Sequence, residues 1–328
     1  MAPFSKEEIE KLKQEVEEKT DEKRAPQWDI IADKNLSEEE LVKRLEEADI
    51  IVGEPEVAVL CRLPKVEWVQ MTFAGTDKYT LNPKFPQNIK ISNASGAFGS
   101  QMAEYIIGAI LSNYRAFPEY AKQQKQHLWM DCLKTAGQGV EQQRLVDESL
   151  EGKTVLILGC GDIGKSTAVR LKAFGTTNIG VRRKKDTLVE GFDQVYSITE
   201  TEAIEEALKQ ADIMIGCIPN GELTRGFLQE SRLRMMKKDS VLVNVGRGSL
   251  ICTEDLVRVL EDGWFRFVCL DVTQPEPLPK EHPLWKMDRV MITPHIAGPS
   301  FFHNKVTERK IRKIVGENII RYLSQDEA

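Results

Sequence analysis

Three polar residues follow apolar runs in the C-terminal half of the sequence. Arg247 lies between two glycines in "NVGRGSL", Glu276 lies in the proline-rich "LDVTQPEPLP", and His295 lies in "MITPHIAG". An arginine can bind a carboxylate and polarise a ketone, a histidine can protonate a developing alkoxide, and a neighbouring carboxylate can hold the ring and favour its charged form. Together these residues suit hydride transfer to a 2-oxo acid. Singly, each has a plainer interpretation: a capping arginine, an ordinary loop acid and an interior histidine.

A source of hydride is indicated upstream, in "LILGCGDIGKSTAVRLKAFG". Gly159, Gly161 and Gly164 form a GxGxxG pattern between a predicted strand and a predicted helix. Such glycines permit a tight turn, close approach of a pyrophosphate, and close helix–strand packing, while the helix N-terminus favours the phosphates. Asp162 and Ile163 belong to the same candidate cofactor-binding set. A glycine-rich turn without a ligand is the alternative.

The next predicted strand, "NIGV", runs into four basic residues, Arg182, Arg183, Lys184 and Lys185. An NAD site is expected to have an acid at this point, which bonds the ribose hydroxyls. An acid would repel a 2′-phosphate, whereas an arginine can bind it with two hydrogen bonds. The pattern therefore favours NADP over NAD as the cofactor. A solvated basic turn is the alternative interpretation.

The composition restricts the class of protein. The 328 residues are 29% charged and 41% hydrophobic, with a net charge of −6, which argues against a general nucleic-acid binder. No apolar run reaches the roughly 20 residues of a membrane span. Neither end resembles a targeting signal, so a cytoplasmic protein is expected. The six cysteines form no Cys-x-x-Cys pair and the four histidines are scattered, so reduced thiols and no metal site are expected.

Short apolar runs alternate with helix-forming segments, which favours an α/β fold with parallel sheets. In the first half, the strand candidates are "WDIIAD", "DIIVGE", "VEWVQMTFAG" and "IKISNAS". Helices are predicted after Ser5, which could form a capping box with Glu8, after Ser37, and from about Ser100. The second half has seven strand candidates, from "KTVLILG" to "RVMITPH", and predicts a doubly wound sheet. Residues 123–153 are expected to be an irregular surface excursion.

Taken together, these motifs resemble the D-isomer-specific 2-hydroxyacid dehydrogenase family over nearly the whole chain. The most specific stretches are "GCGDIGKSTAVRLKAFG", "VLVNVGRGSLI", "LDVTQPEPLP" and "ITPHIAG". The resemblance implies that the family's catalytic arginine, glutamate and histidine are Arg247, Glu276 and His295. It implies an oxidoreductase that transfers a hydride between NADP(H) and a small 2-oxo acid or D-2-hydroxy acid.

The resemblance also implies further binding residues. "TFAGTDKY" is similar to the family's substrate loop, so Phe73, Ala74 and Gly75 are expected to bind substrate, the last two through their N–H groups. Asp271 is similar to an acid near the nicotinamide amide. Trp129 is similar to a tryptophan that reaches the partner's substrate pocket in some relatives, and plain dimer packing is the alternative. The remaining implied cofactor-binding residues are Ile218, Pro219, Val245, Gly246, His295 and Gly298.

The domain organisation implied by the resemblance is a Rossmann cofactor domain inserted into a flavodoxin-like substrate domain. Residues 1–101 plus 299–328 would form the substrate-binding domain, and residues 102–298 the dinucleotide-binding domain. A homodimer through the cofactor domains and a cleft that closes over substrate are also implied. Family members usually begin with a β-strand, whereas this sequence enters a helix at Ser5, so the first strand is expected to be missing or shortened.

Other functions and several substrates stay open at this point. A dinucleotide-sensing binding protein, such as a transcriptional co-repressor, could use the same fold, and some of these proteins retain the Arg/Glu/His set. Formate dehydrogenases resemble the fold but have glutamine in place of Glu276, which counts against that chemistry. Phe73, Met71 and Trp129 suggest an apolar substrate wall, which discriminates weakly between side groups. Glyoxylate, hydroxypyruvate and a branched 2-oxo acid are all candidates.

Overall fold

The computed structural model describes residues 4–21, 25–31, 35–129, 149–184, 189–298 and 305–324. The chain divides into two compact units, Met1–Phe98 with Pro299–Ala328, and Gly99–Gly298. The sequence analysis places the first boundary between the two domains slightly later, after residue 101. The roles of the two units as substrate and cofactor domains stay predictions at this point.

The first unit contains a three-stranded parallel sheet in the order β1-β2-β3, with short helices between the strands. Apolar side chains of these elements form one core, in which Val66 and Val69 are fully buried. Its elements are α1 (Lys6–Lys19), α2 (Glu38–Leu45), β1 (Ile50–Val52), α3 (Val57–Leu60), β2 (Trp68–Gln70), α4 (Asp77–Thr80) and β3 (Lys90–Ser92).

The second unit is built on a seven-stranded sheet, all parallel, in the order β10-β9-β8-β7-β4-β5-β6. Its elements are α5 (Gly99–Tyr114), α6 (Phe117–Lys125), β4 (Thr154–Leu158), α7 (Asp162–Lys172), β5 (Thr177–Arg182), β6 (Gln194–Ser197), α8 (Thr201–Gln210), β7 (Ile213–Gly216), α9 (Glu230–Leu233), β8 (Val241–Asn244), α10 (Thr253–Glu261), β9 (Phe267–Leu270) and β10 (Val290–Ile292), with 3₁₀ turns at Gly248–Leu250 and Pro283–Lys286. The last helix, α11 (Lys305–Ser324), returns to the first unit.

The parallel α/β class predicted from the alternating pattern is confirmed by both sheets. The strand order reverses at β4, which has β5 on one side and β7 on the other. In a sheet of this kind, ligands bind outside the carboxyl ends of the strands beside the reversal. The flavodoxin-like arrangement of the first unit stays a prediction, because its described residues include three strands.

The predicted strand "WDIIAD" is wrong over its described residues, Trp28–Ile31, which have no strand geometry. A strand needs a neighbour for its backbone hydrogen bonds. In the described residues, β1 pairs with β2 alone. Side chains hold the segment instead, since Arg44 of α2 binds the Asp29 carboxylate at 2.7 Å. Apolar composition without a pairing partner therefore did not produce a strand.

The predicted capping box at Ser5 is half wrong. The Ser5 hydroxyl caps α1 by accepting from the Glu8 backbone N–H, but the Glu8 carboxylate does not return to the Ser5 N–H. That N–H donates to Glu308 of α11, and Glu8 binds the Arg312 guanidinium at 2.8 Å. A long-range ion pair thus replaced the local bond. Ser37 does form the full capping box, with Glu40.

The predicted surface excursion also needs correction at its start. Its first residues, 123–125, belong to α6 rather than to an irregular segment. Residues 130–148 of the excursion lie outside the described residues.

Candidate active site

The glycine-rich turn follows β4 and opens α7, as the sequence predicted. Gly159 has φ of 110°, and a Cβ there would lie 2.8 Å from the Cys217 carbonyl oxygen. A Cβ on Gly164 would lie 1.8 Å from the Gly159 carbonyl oxygen, so the first turn of α7 packs directly on the loop. A Cβ on Gly161 would meet no atom within 4 Å, so the backbone there is open to a ligand. The three positions match the three roles that a pyrophosphate-binding turn requires.

Side chains below the turn fix it in place. The Cys217 thiol donates to the Gly159 carbonyl at 3.2 Å, and burial raises the pKa of this thiol, so the proton is retained. Asp162, the first residue of α7, accepts a 2.6 Å hydrogen bond from the Gly99 N–H of α5. The Asp162 carboxylate is thus engaged with α5, and its contribution to a cofactor would come from the backbone at the helix N-terminus. Ile163 is half-buried beside it.

The end of β5 carries the basic residues and no acid. Arg182 is half-buried, and Arg183 and Lys184 are exposed; Lys185 lies outside the described residues. Within the described residues, the structure places none of these three cations in an ion pair. The Ser197 hydroxyl of β6 donates to the Arg183 carbonyl at 3.0 Å, which fixes the backbone at the strand end.

Arg247 follows β8 in a turn whose backbone is tightly constrained. A Cβ on Gly246 would lie 2.7 Å from the Ile218 carbonyl oxygen, and one on Gly248 would lie 1.9 Å from that of Thr273. The buried Asn244 amide donates to the Arg247 carbonyl at 2.9 Å and accepts from the Gly246 N–H at 3.2 Å. The glycines on both sides of Arg247 therefore let neighbouring backbones approach and fix its Cα.

His295 and Glu276 form the pair that the sequence predicted. The ring Nδ1 lies 2.7 Å from the Glu276 Oε1 atom, and both side chains remain accessible to solvent, at 51% and 42%. Glu276 lies after β9 and His295 after β10, and these two strands are adjacent and parallel. Because Arg247 follows β8, the next strand in the sheet, all three residues leave the same edge of the sheet.

His295 has an unusual backbone. Its φ is 54°, in the left-handed region that non-glycine residues rarely adopt. Its N–H donates to the carbonyls of Asp271 and Thr293, both at 3.0 Å. The Asp271 carboxylate, 1% exposed, accepts from the N–H groups of Ile296 at 2.7 Å and Ala297 at 3.0 Å. These bonds hold the turn in its strained conformation.

The candidate substrate loop lies in the first unit, after β2. The Phe73 carbonyl accepts from the Ala94 N–H at 2.9 Å, and the Ala74 carbonyl accepts from the Asn93 amide at 2.8 Å. Among the described residues, the N–H groups of Ala74 and Gly75 donate no backbone hydrogen bond, so they are available to a ligand. Phe73 is 44% exposed.

One predicted wall residue is wrong. Met71, which follows β2 directly, is 2% exposed and belongs to the core of the first unit, in a stretch where both faces of the chain are covered. Trp129 is fully exposed in the described structure. Of the other predicted cofactor residues, Ile218, Val245 and Gly246 are buried, Pro219 is exposed and Gly298 is half-buried.

A scan against protein-family models gives a match over residues 107–297, to the model described as "D-isomer specific 2-hydroxyacid dehydrogenase, NAD binding domain". This chain belongs to the D-isomer specific 2-hydroxyacid dehydrogenase family. It is therefore an NAD(P)-dependent oxidoreductase of 2-hydroxy acids, and the Rossmann unit predicted from the glycine motif is confirmed.

Three relatives of this dehydrogenase are informative. Glyoxylate reductase of Thermofilum pendens is 28% identical, with 88% of this chain and 82% of that protein covered. A family protein from Aeromonas salmonicida is 34% identical, with a TM-score of 0.75 and coverage of 87% and 84%. An acyclic imino acid reductase, solved in complex with NADPH and D-Arg, is 25% identical, with a TM-score of 0.72 and coverage of 88% and 87%.

The dehydrogenase has a turn that fits a nicotinamide dinucleotide. The open backbone at Gly161, the close contact between Gly159 and Gly164, and the free N-terminus of α7 suit a pyrophosphate. The described residues contain no group of three or more His, Cys, Asp or Glu side chains that could hold a metal ion. Over the same residues, no helix of the dehydrogenase is both long and apolar enough to cross a bilayer.

Sequence reasoning missed several residues around the candidate catalytic turn of the dehydrogenase. Asn244, fully buried at the end of β8, orients Arg247. Thr293 and Tyr105 bond to one another below His295. A polar residue at the end of an apolar strand was a usable signal for Asn244. The bond of Tyr105 joins residues 188 positions apart, and no local pattern indicates such a contact.

Proposed function

We propose that this dehydrogenase reduces small 2-oxo acids to D-2-hydroxy acids with NADPH, with His295 as the acid/base and Arg247 as the substrate anchor. The observation that carries the proposal is the 2.7 Å contact between His295 Nδ1 and Glu276 Oε1 at the edge of the sheet from which Arg247 also emerges. A histidine bonded to a carboxylate through one nitrogen has the other nitrogen available for proton transfer.

The proton is delivered by the histidine pair. When bound, the cofactor supplies the hydride for the reduction. His295 Nδ1–H donates to the Glu276 carboxylate, so its Nε2–H is the group that faces the substrate oxygen. As negative charge develops on that oxygen, the charged ring donates its proton, and Glu276 stabilises the charged ring until transfer. In the reverse direction, neutral His295 accepts the hydroxyl proton at Nε2.

Arg247 of the second unit is the proposed anchor of the substrate carboxylate. The N–H groups of Ala74 and Gly75, in the first unit, keep the substrate-binding role that the resemblance implies as a separate proposal. A guanidinium presents two parallel N–H groups, which match a carboxylate. The Gly246 and Gly248 contacts hold the Arg247 backbone, so that substrate binding need not order it. Phe73, 44% exposed beside these donors, is proposed to contact the substrate side group.

The preference for NADPH rests on the end of β5. Arg182, Arg183 and Lys184 stand where an NAD site would have an acid, and no ion pair within the described residues neutralises them. A phosphate is bound by such cations, whereas a ribose hydroxyl gains little from them. The relative solved with NADPH and D-Arg is consistent with this assignment.

The test of the proposed function is turnover of glyoxylate, hydroxypyruvate and a branched 2-oxo acid with NADPH and with NADH. We expect at least one of these acids to be reduced, with a clearly higher kcat/KM for NADPH. The broad panel is needed because an apolar contact such as Phe73 separates substrates by only about 10- to 200-fold per methylene group. Binding of NADPH without turnover of any 2-oxo acid would contradict the proposal and favour a dinucleotide sensor.

The cofactor preference is tested by Arg182→Asp. The introduced carboxylate repels the 2′-phosphate and can bond the ribose hydroxyls, so we expect the preference to be erased or reversed. Lys209→Asp on α8 is the control, because Lys209 is an exposed cation of the same unit that pairs with Glu206. A wild-type preference for NADH would show that the basic turn is merely solvated.

Exposed apolar side chains support an association of two copies through the second unit. Phe117 is 60% exposed on α6, and Leu128 at 45% and Trp129 at 101% follow it. A contiguous exposed apolar patch commonly marks an interface between proteins, and we propose that these side chains contribute to one. We expect sedimentation to give a dimer, and replacement of Phe117 and Leu128 by serine to weaken it. A monomeric wild type would contradict this part of the proposal.

A further inference from the structure

A series of hydrogen bonds between buried and half-buried side chains lies beneath the proposed catalytic turn. The Tyr105 hydroxyl of α5 lies 2.5 Å from the Thr293 hydroxyl, which donates to Asp271 Oδ1 at 2.7 Å. The Cys269 thiol of β9, which is fully buried, lies 3.4 Å from the Tyr105 oxygen. All four residues belong to the second unit. These hydrogen bonds thus link α5, the first helix of this unit, to the turn that contains His295.

The Asp271 carboxylate, at one end of this series of hydrogen bonds, fixes the direction of each bond. A carboxylate can only accept, so the single hydroxyl proton of Thr293 is committed to Asp271. The Thr293 oxygen must then accept the proton of Tyr105. Burial raises the pKa of Tyr105 and raises that of Cys269 to about 11, so both groups keep their protons. The thiol can therefore donate to Tyr105, and every bond in the series points toward Asp271.

Asp271, whose orientation is set by these hydrogen bonds, in turn holds the backbone of His295. Its carboxylate accepts from the N–H groups of Ile296 and Ala297, and its carbonyl accepts from the His295 N–H. These bonds enclose the residue whose φ is 54°. A strained backbone persists only where its surroundings over-determine it. The orientation of Asp271, and with it the direction of the His295 ring toward Glu276, therefore depends on the Thr293 and Tyr105 hydroxyls.

We propose that Tyr105 is a positioning residue, whose hydroxyl holds Thr293 and Asp271 so that His295 is kept against Glu276. The inference rests on the proposed role of His295 as the acid/base. Among the described residues, Glu276 contacts the ring at 2.7 Å, and the Asp271 carbonyl accepts from the His295 N–H. Arg247 leaves the same edge of the sheet. Tyr105 touches neither substrate nor cofactor in this proposal and acts through the turn alone.

The test is Tyr105→Phe, which removes the hydroxyl and keeps the ring. We expect kcat/KM for reduction to fall by about tenfold, as for a modest misplacement of a catalytic group. The affinity for NADPH, measured by fluorescence, should stay nearly unchanged, because Tyr105 touches no cofactor group in this proposal. Because a loosened His295–Glu276 contact stabilises the charged ring less, the fall of activity with rising pH should move to lower pH. A role in packing alone would leave that pH profile unchanged.

Variants at Thr293 separate these hydrogen bonds from packing. Thr293→Ser keeps the hydroxyl and should keep most of the activity, whereas Thr293→Val has the shape of threonine and should match Tyr105→Phe. Tyr79→Phe is the control for loss of a buried tyrosine bond, because Tyr79 donates to the Pro55 carbonyl at 2.9 Å in the other unit. It should lower the melting temperature without moving the pH profile. Equal losses in Thr293→Ser and Thr293→Val would overturn the inference.

Coupling to Glu276 completes the test. If Tyr105 acts through the pair, Tyr105→Phe should cost much less in a Glu276→Gln background than in the wild type, since residues that act on one contact are not additive. A wild-type rate and pH profile in Tyr105→Phe, with His295→Asn impaired, would overturn this inference and leave the proposed function intact. Near-normal activity in His295→Asn would instead overturn the proposed function itself.

Discussion

Replacement of Arg247 by alanine is expected to lower kcat/KM for 2-oxo acid reduction by about two or more orders of magnitude. The guanidinium would bind the carboxylate and stabilise the charge that develops on the carbonyl oxygen, and loss of one such donor commonly costs about 10²–10³ in rate. The turn itself should survive, because Asn244 still bonds the Arg247 carbonyl and the Gly246 N–H when the 2.8 Å bond from the Arg247 guanidinium to the Gly246 carbonyl is lost. The affinity for NADPH is therefore expected to be nearly unchanged.

Two further variants make the Arg247 result specific. Arg247→Lys keeps the charge but not the paired donors, so we expect poor rescue. Arg258→Ala is the matched control, since Arg258 is 53% exposed on α10 and pairs with Glu230 and Asp255. Loss of an exposed ion pair costs at most about 1 kcal/mol of stability and should leave kcat/KM unaltered. Near-normal turnover by Arg247→Lys would contradict binding through two donors.

The parts of the molecule that could be predicted from sequence are those set by local patterns. The glycine turn was predictable because each glycine is required for its own steric reason. An added Cβ would lie 2.8 Å from a backbone oxygen at Gly159 and 1.8 Å from one at Gly164. The strands of the second unit were predictable because both of their faces are covered, so that they read as continuous apolar runs. The positions of Arg247, Glu276 and His295 at one sheet edge follow from the same parallel order.

The parts that could not be predicted depend on residues distant in sequence. The Glu8 carboxylate does not cap α1, because it binds Arg312, a residue 304 positions later in the sequence. Trp28–Ile31 has the composition of a strand, but pairing needs a neighbour that composition does not supply. The motif suggests Met71 as a site residue, but this residue belongs to the core because both faces of the chain at the end of β2 are covered. In each case, the tertiary environment outweighed a local preference.

Asp271 shows how a correct position can carry an additional role. The resemblance places this acid near the nicotinamide amide, and that role stays a prediction. The structure adds that both of its carboxylate oxygens accept hydrogen bonds from residues 293–297. A buried carboxylate with several donors is costly to disturb, since breaking its bonds leaves a desolvated charge. His295, the proposed acid/base, is thus attached to the sheet through Asp271.

Removal of the His295 imidazole is expected to lower the reduction rate by about 10²–10⁴, the usual contribution of general acid catalysis. Asparagine is the preferred replacement, because it tolerates the positive φ of 54° better than other non-glycine residues. His282→Asn is the matched control. His282 caps the turn Pro283–Lys286 through its side chain, and asparagine can make the same bond. We expect the control to keep near-normal turnover, and NADPH affinity to be nearly intact in both variants.

The pH dependence of kcat/KM tests the pairing of His295 with Glu276. Reduction needs the charged ring, so its rate should fall as pH rises, whereas oxidation needs the neutral ring and should rise with pH through the same group. Glu276→Gln keeps a hydrogen-bond acceptor 2.7 Å from Nδ1 but removes the negative charge that favours the charged ring. The fall in the reduction rate should therefore move to lower pH, and the rise in the oxidation rate should move with it. A profile that does not move in either direction would mean that Glu276 only shapes its loop, and a fast His295→Asn enzyme would mean that the proton has another source.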